Sequence, residues 1–414
     1  MSSSAVSGRC RQRSRAVELR IYAHAFIARL YFYMPVLLLH MEQALGDADV
    51  SRPKAVALSL ISLTSLGVML AEYPSGLFAD WLGHGRTLLL AGALQVVGVG
   101  LFLAPPSLVT LAVAQLVVGV ATAFRSGADT ALLYGYLEGC GCTSQYGGAL
   151  ARLRFFNTLA IGVAGTFGGI LFAYAPRWVF ILSAVSAAVG TLSLLGLDAV
   201  VAERPTRSYG QVFRESFAAM RGSSAVQALV LLGGLSNPFF VLAYWMTQRY
   251  LSDAGVSALQ VGFVVAAISY LQAATMPFSA WFSRHQRRAR TVTACIVVLL
   301  PLFLLSVALA WGPARLLGGA LLVLVAAVHV LHRNLINLRI QAFTPTPVRA
   351  SVLSFETWIG ALGYVLIFPL AGWLFEARGL SGGFVVLSIA TALALWPLLV
   401  WSWRSGRLGP APHA

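Results

Sequence analysis

Charge is what this sequence has least of. Only 10% of its 414 residues are Asp, Glu, Lys or Arg, whereas water-soluble chains carry about 25%. An ordinary soluble enzyme is excluded, because there is too little charge to cover its surface. Acidic groups are scarcest, 14 against 29 basic ones for a net charge of +15, and lysine is confined to Lys54. Cysteine is sparse too: Cys10, Cys140, Cys142 and Cys295 form no C-x-x-C pair and no disulfide spacing, which argues against a zinc site or a cross-linked framework. No G-x-x-x-x-G-K-[ST] phosphate loop is present, so ATP drive is not expected. The seven histidines are scattered. Neither H-E-x-x-H, nor G-x-S-x-G, nor a paired-carboxylate signature occurs, and no metal, cofactor or catalytic residue is predicted.

What the chain has instead is apolar sequence, 58% of its residues, which also rules out disorder. About 20 apolar residues cross a bilayer. Punctuated by Gly, Pro and charge, twelve runs approach or exceed that length, at 19–40, 54–79, 87–104, 107–137, 150–174, 177–197, 224–250, 257–282, 291–311, 315–341, 348–375 and 383–403. The expected fold is an all-α integral membrane protein of twelve transmembrane helices. Arg9, Arg11, Arg13, Arg15 and Arg20 before the first run give it the look of a signal peptide. The run continues to His40 without a small-residue cleavage site, so it reads as a retained first span.

The basic excess would suggest a nucleic-acid partner in a soluble chain, but no stretch here builds a basic face beside a soluble core. Orientation explains it better. With the N-terminus cytosolic, nineteen basic residues fall in cytosolic segments, six outside and four within spans. Arg204, Arg207, Arg214 and Arg221 then lie on the cytosolic side, as do Arg284, Arg287, Arg288 and Arg290. A multi-pass protein of the cytoplasmic membrane with both termini cytosolic is expected.

The longest polar stretch separates spans six and seven. Within it Tyr209, Val212, Phe213, Phe217 and Met220 repeat at helical spacing, with Arg214, Glu215 and Arg221 opposite. That pattern fits an amphipathic helix on the lipid surface or a solvated linker. The predicted order is a basic tail at 1–18, a six-helix half at 19–197, a linker at 198–223, a second half at 224–403 and a tail at 404–414. A shift of 203 residues lays Pro74-Ser75-Gly76-Leu77-Phe78 over Pro277-Phe278-Ser279-Ala280-Trp281. Two pseudo-symmetric halves with a solute at their interface make a transporter architecture.

The loop after span two reads Glu72-Tyr73-Pro74-Ser75-Gly76-Leu77-Phe78-Ala79-Asp80-Trp81-Leu82-Gly83-His84-Gly85-Arg86. It resembles the signature loop of the major facilitator superfamily, G-x-x-x-D-(R/K)-x-G-x-(R/K)-(R/K), at Gly76, Asp80, Gly83 and Arg86. Trp81 stands in place of the first basic residue and Thr87 in place of the last. The resemblance implies a conformational role for these four residues, with Asp80 latching the halves in the outward-facing state. Glu72-x-Pro74-x-Gly76, with Phe124-x-Ser126-Gly127-Ala128-x-x-Ala131-Leu132-Leu133-Tyr134, is similar to one bacterial branch of the superfamily. Two other family patterns are incomplete. Gln115 stands where the proton-transfer pattern has an arginine, and Ala164-Gly165-Thr166-Phe167-Gly168-Gly169 lacks the proline of the antiporter pattern.

Ionisable groups inside spans are costly and usually face a cavity or each other. In span four Gly119, Ala123, Gly127, Ala131 and Gly135 form a small-residue packing stripe, and Arg125 and Asp129 form an i, i+4 pair pointing almost oppositely. The pair faces a cavity or serves as a structural ion pair. Span ten carries His329, Arg333, Asn337 and Gln341 every four residues, with Arg333 and Gln341 alternatively anchoring the cytosolic end. A shift of 204 lays Arg125 and Asp129 over His329 and Arg333. Arg29 and Tyr33 in span one, and Asn237 and Tyr244 beside Pro238 in span seven, complete the candidate cavity residues. Glu72 and Asp129, then Glu356, are candidate proton carriers, and Glu72 alternatively braces the loop motif.

The resulting expectation is a secondary transporter, working as a monomer and not an enzyme. It moves an anionic or polar small organic solute by alternating access, with proton coupling and export favoured. A polytopic membrane enzyme and a non-transporting sensor on a transporter fold are the alternatives.

Overall fold

The computed structural model describes residues 17–142, 145–197, 214, 217–218, 220–283, 285–344 and 349–405, and among them there is no strand. The side chains of Tyr73, Leu77, Asp80 and a few other helical residues lie outside that description. Helix α1 covers residues 17–27. Then follow α2 (Leu37–Asp47), α3 (Pro53–Leu82), α4 (His84–Leu101), α5 (Leu108–Arg125), α6 (Ala128–Gly139), α7 (Tyr146–Tyr174) and α8 (Pro176–Leu192). The remaining elements are α9 (Ser224–Asp253), α10 (Ala258–Ala274), α11 (Met276–Ser283), α12 (Gln286–Ala310) and α13 (Arg315–Phe343). The last helical stretch, Arg349–Ser405, is interrupted at Gly379, where φ is 68°; its two parts are α14 (349–378) and α15 (380–405).

Eight stretches among the described residues are helical, long and apolar enough to cross a membrane. The other apolar runs of the sequence fall on shorter pieces. Span six is the 17-residue α8, span eight is divided at Thr275 between α10 and α11, and span one is broken. Large apolar side chains such as Leu309 (76% exposed) and Leu393 (72% exposed) point away from the protein. In water they would invite aggregation; against lipid tails they are at home.

The chain forms two compact units. One consists of the described residues within Met1–Val50, Leu63–Pro205 and Ala258–Tyr270. Inside it α4 lies along α5 and α8. Gly119 of α5 meets Gly67 of α3, where an added Cβ would stand 3.0 Å from the Gly67 Cα. Gly169 of α7 meets Gly262 of α10 as closely, at 2.7 Å. The other unit holds the described residues within Ser51–Ser62, Thr206–Ser257 and Leu271–Ala414, with α9 running along α13 and the α14–α15 stretch.

Two expectations about continuous spans need correction. Span one does not run unbroken from 19 to 40. Pro35 has no amide hydrogen to donate, its ring clashes with the carbonyl four residues back, and it disfavours helical geometry at Met34. The chain therefore leaves α1 through tight turns over residues 28–33, with the Tyr31 amide donating to the Arg29 carbonyl (2.8 Å). It re-enters through a 3-10 turn at Met34–Val36. Two glycines receive this break: a Cβ at Gly168 would fall on the Phe32 carbonyl, and one at Gly190 would lie 2.5 Å from the Ala28 amide nitrogen.

Span four is likewise two helices, α5 and α6, separated at Gly127 with φ 78°. Glycine adopts that left-handed geometry without the Cβ penalty. The small-residue stripe accordingly ends early. Gly119 and the fully buried Ala123 pack against neighbours, whereas a Cβ at Gly127 would meet nothing within 4 Å.

Of the linker helix, Tyr209, Val212, Phe213 and Glu215 lie outside the described residues. Phe217 is helical, with its ring centroid 6.1 Å from that of Phe355 and the Arg221 guanidinium 5.3 Å above it.

Candidate functional site

The break at Gly127 determines the electrostatics of the first unit. Arg125 is the last residue of α5 and Asp129 lies in the first turn of α6. A helix C-terminus favours a cation and an N-terminus an anion, by about 0.3–1 kcal/mol each and more when partly buried. The expected i, i+4 pair is therefore replaced. Asp129 Oδ2 accepts from Arg29 Nη2 at 3.2 Å, across 100 residues of sequence. Its Oδ1 accepts the Thr130 backbone amide at 2.8 Å.

Arg125 is buried, and the direct contacts of its guanidinium are with neutral groups. Its Nη2 donates to Gln95 Oε1 (3.4 Å), and its guanidinium stands 5.5 Å from the Tyr31 ring centroid. Gln95 Nε2 in turn donates to the Tyr33 hydroxyl (3.4 Å), and Tyr33 stacks on Phe102 and Phe180. The turn over residues 28–33 thus brings Arg29, Tyr31 and Tyr33 to Arg125, Asp129 and Gln95. Of the two guanidiniums, that of Arg29 has a carboxylate partner and that of Arg125 has none among the described residues. A buried charge is strongly destabilised unless something compensates it, and no carboxylate among the described residues pairs with Arg125.

The second unit holds a different group. His329 Nε2 donates to Asn237 Oδ1 (2.5 Å). The Ser236 hydroxyl donates to the Gly233 carbonyl (3.1 Å) and lies 2.8 Å from His332 Nε2, which then donates to it. His332 Nδ1 remains a buried lone pair with no hydrogen-bond partner among the described residues. Phe240 stacks on His329 and tilts against His332.

Pro238, within α9, meets Gly363 of α14 at 2.6 Å from an added Cβ, and Gly233 meets the Glu356 side chain at 3.1 Å. These glycines let α14 bring Glu356, 2% exposed and within the field of Arg333, against α9. Here α13 is one continuous helix, so the register expected from Arg125 and Asp129 does not reproduce the broken geometry. Leu331 stands where Gly127 breaks the first unit.

The other candidates are less gathered. Arg333 is exposed, while Tyr244 and Asn337 are half-buried; the Asn337 Oδ1 has no hydrogen-bond partner among the described residues. Glu72 is half-buried in α3, and its backbone carbonyl accepts from the Ser75 hydroxyl (2.9 Å). Within the loop motif, Gly83 caps α4 at φ 85°, Arg86 is exposed and Gly76 is half-buried; the Asp80 side chain lies outside the described residues.

Sequence reasoning missed Gln95, Tyr31, His24, Ser236 and Arg339. Gln95 and Ser236 are neutral groups in apolar helices and follow no stripe. His24 Nδ1 donates to the Gly190 carbonyl (2.9 Å), beside the break that periodicity could not reveal. Arg339, 5% exposed, lies seven residues after His332 on the buried face of α13, off the His329 stripe. Gln115 is buried between Thr64, whose hydroxyl donates to Oε1 (2.5 Å), and Met41. The signal was there for Gln115, as a polar residue in an apolar run, but its partners lie far off in sequence.

Comparison with known proteins gives a consistent answer. The family model for the Major Facilitator Superfamily matches residues 22–357. An uncharacterised MFS-type transporter, YxaM of Bacillus subtilis (strain 168), is 24% identical over 198 residues, 46% of this chain and 47% of that protein. The match thus spans about half the length of that relative. Among solved structures, the POT family transporter PepTSo superposes with TM-score 0.77 at 14% identity, covering 95% of this chain and 98% of its own. The nucleoside transporter NupG gives TM-score 0.74 at 13% identity over 93% and 98%. The human organic anion transporter MFSD10 gives 0.66 at 17% identity over 93% and 99%. At these identities the structural likeness is one of fold.

Proposed function

The chain belongs to the major facilitator superfamily, and from that membership we propose a secondary active transporter that moves a small anionic or polar organic solute. As a member of a transporter family it is a multi-pass membrane protein and not an enzyme. The reading places both termini in the cytosol of a cell whose plasma membrane it spans, with protons as the coupling ion and export as the working direction.

The observation that carries the solute class is the charge balance around the α1 break. Arg29 is paired with Asp129 at 3.2 Å, while Arg125, 7% exposed, has no carboxylate partner among the described residues. A carboxylate or phosphate on the solute would supply the missing negative charge in bidentate fashion. Protonation of Asp129 would release Arg29 to the same anion, which ties proton binding to solute binding through one ion pair. Such exchange lets a ligand with different affinity for two conformations shift their populations.

The test is a thermal-unfolding screen of the purified protein against organic anions, cations and neutral solutes. Flux in vesicles under an imposed pH gradient then follows for the hits. Stabilisation by anions that Arg125→Gln abolishes supports the reading; stabilisation by cations alone overturns it.

A further inference from the structure

One cleft of the second unit belongs to no part of the transport reading. It lies between α12 and α15, has a volume of about 780 Å³, and is walled by apolar side chains such as Pro301, Leu305, Ile389, Ala392 and Trp396. The polar group at one end, the Ser388 hydroxyl, is already committed to the Pro301 carbonyl at 2.6 Å. At the other end stands Arg404. Ser388 and Arg404 are about 24 Å apart along a helix rising about 1.5 Å per residue. Half of a hydrocarbon core is about 15 Å thick, so the cleft is long enough to take an acyl chain and still reach headgroup level.

The charge at that end is of one sign. Arg404 is exposed and pairs with no carboxylate among the described residues. Beside it the Arg290 guanidinium lies 3.9 Å over the Trp403 ring and donates to the Trp403 carbonyl (2.6 Å), tying α12 to α15. Arg287 and Arg288 are exposed on the first turn of α12. No Asp or Glu occurs anywhere in residues 254–355 or 377–414. Clusters of arginine at a span end recognise anionic headgroups.

We propose that this cleft is a binding site for an anionic phospholipid, with an acyl chain between α12 and α15 and its phosphate at Arg404. The proposal does not depend on the chain being a transporter, and its test uses no transport assay. Full-length protein in detergent is offered equal amounts of phosphatidylglycerol and phosphatidylcholine, and retained lipid is counted by native mass spectrometry. The wild type should retain phosphatidylglycerol about fivefold better, the factor that one arginine beside an anionic headgroup contributes. Arg404→Gln should remove that preference while neutral lipid is still retained. Ala392→Trp, which fills the cleft, should lower retention of both, with the unfolding midpoint showing that each variant is folded. Equal retention of the two lipids by the wild type overturns the proposal. So does a phosphatidylglycerol preference that survives Arg404→Gln, which remains decisive if the tryptophan variant does not fold.

Discussion

Removing the carboxylate of Asp129 perturbs the arrangement at its most sensitive point. The Arg29–Asp129 pair stands at 3.2 Å, with side-chain exposures of 27% and 10%. At an effective dielectric of about 20, two unit charges at that distance attract by roughly 5 kcal/mol. Partial hydration of Arg29 and the field of Arg125 reduce what a measurement would recover to about 2 kcal/mol of coupling, within the range for contacting residues. Asp129→Asn leaves Arg29 and Arg125 both without an anion, and should cost about 3–5 kcal/mol, as for a broken buried pair. Arg29→Gln alone leaves Asp129 in the first turn of α6 with the Thr130 amide still donating to it, and should cost less. In the double variant Arg29 is no longer a charge without its partner, so part of the loss should return, while Arg125 still lacks an anion. The assay is a double-mutant cycle by reversible unfolding in mixed detergent micelles. If the two substitutions add within about 0.5 kcal/mol, the pair is not coupled and the reasoning fails.

The other predictions concern the elements that shape the site. Gly127→Ala forces a side chain into φ 78° and should destabilise by about 1–2 kcal/mol, read in the same unfolding assay. Gly190→Val should cost about 1–3 kcal/mol through overpacking, because its Cβ would lie 2.5 Å from the Ala28 amide nitrogen; a thiol placed at Arg29 should at the same time change its rate of labelling. Ser236→Ala removes the partner of His332 Nε2 (2.8 Å) and should cost about 1–3 kcal/mol for the unsatisfied buried group. Glu376→Ala deletes the carboxylate that accepts the Ala55 amide (2.9 Å) near the start of α3 and should cost about 1 kcal/mol, as for a lost cap.

Membrane residence and the all-helical fold were legible because they rest on the length of apolar runs, which a single sequence displays directly. The resemblance carried by Gly76 to Arg86 could be noticed because those residues are close together in sequence. The breaks were only half legible. Pro35 announced that α1 must stop, yet a run of apolar residues continued past it to His40. Gly127 fitted a four-residue stripe as well as a turn, and periodicity cannot distinguish a glycine that packs from one that supplies a positive φ. Arg29 and Asp129 were each singled out, but their pairing spans 100 residues, and nothing local encodes such a contact. Gln95 and Ser236 were missed for a related reason: each matters through its partner, and the partner is on another helix.

Solute recognition turns on whether Arg125 answers to an organic anion. The most direct measurement is flux of the best-stabilising anion from the unfolding screen, in proteoliposomes under an imposed pH gradient, for the wild type and for Arg125→Gln. Gradient-driven flux is expected in the wild type and its loss in the variant, with the variant still folded. Equal flux through both, or flux indifferent to the pH gradient, would contradict that expectation.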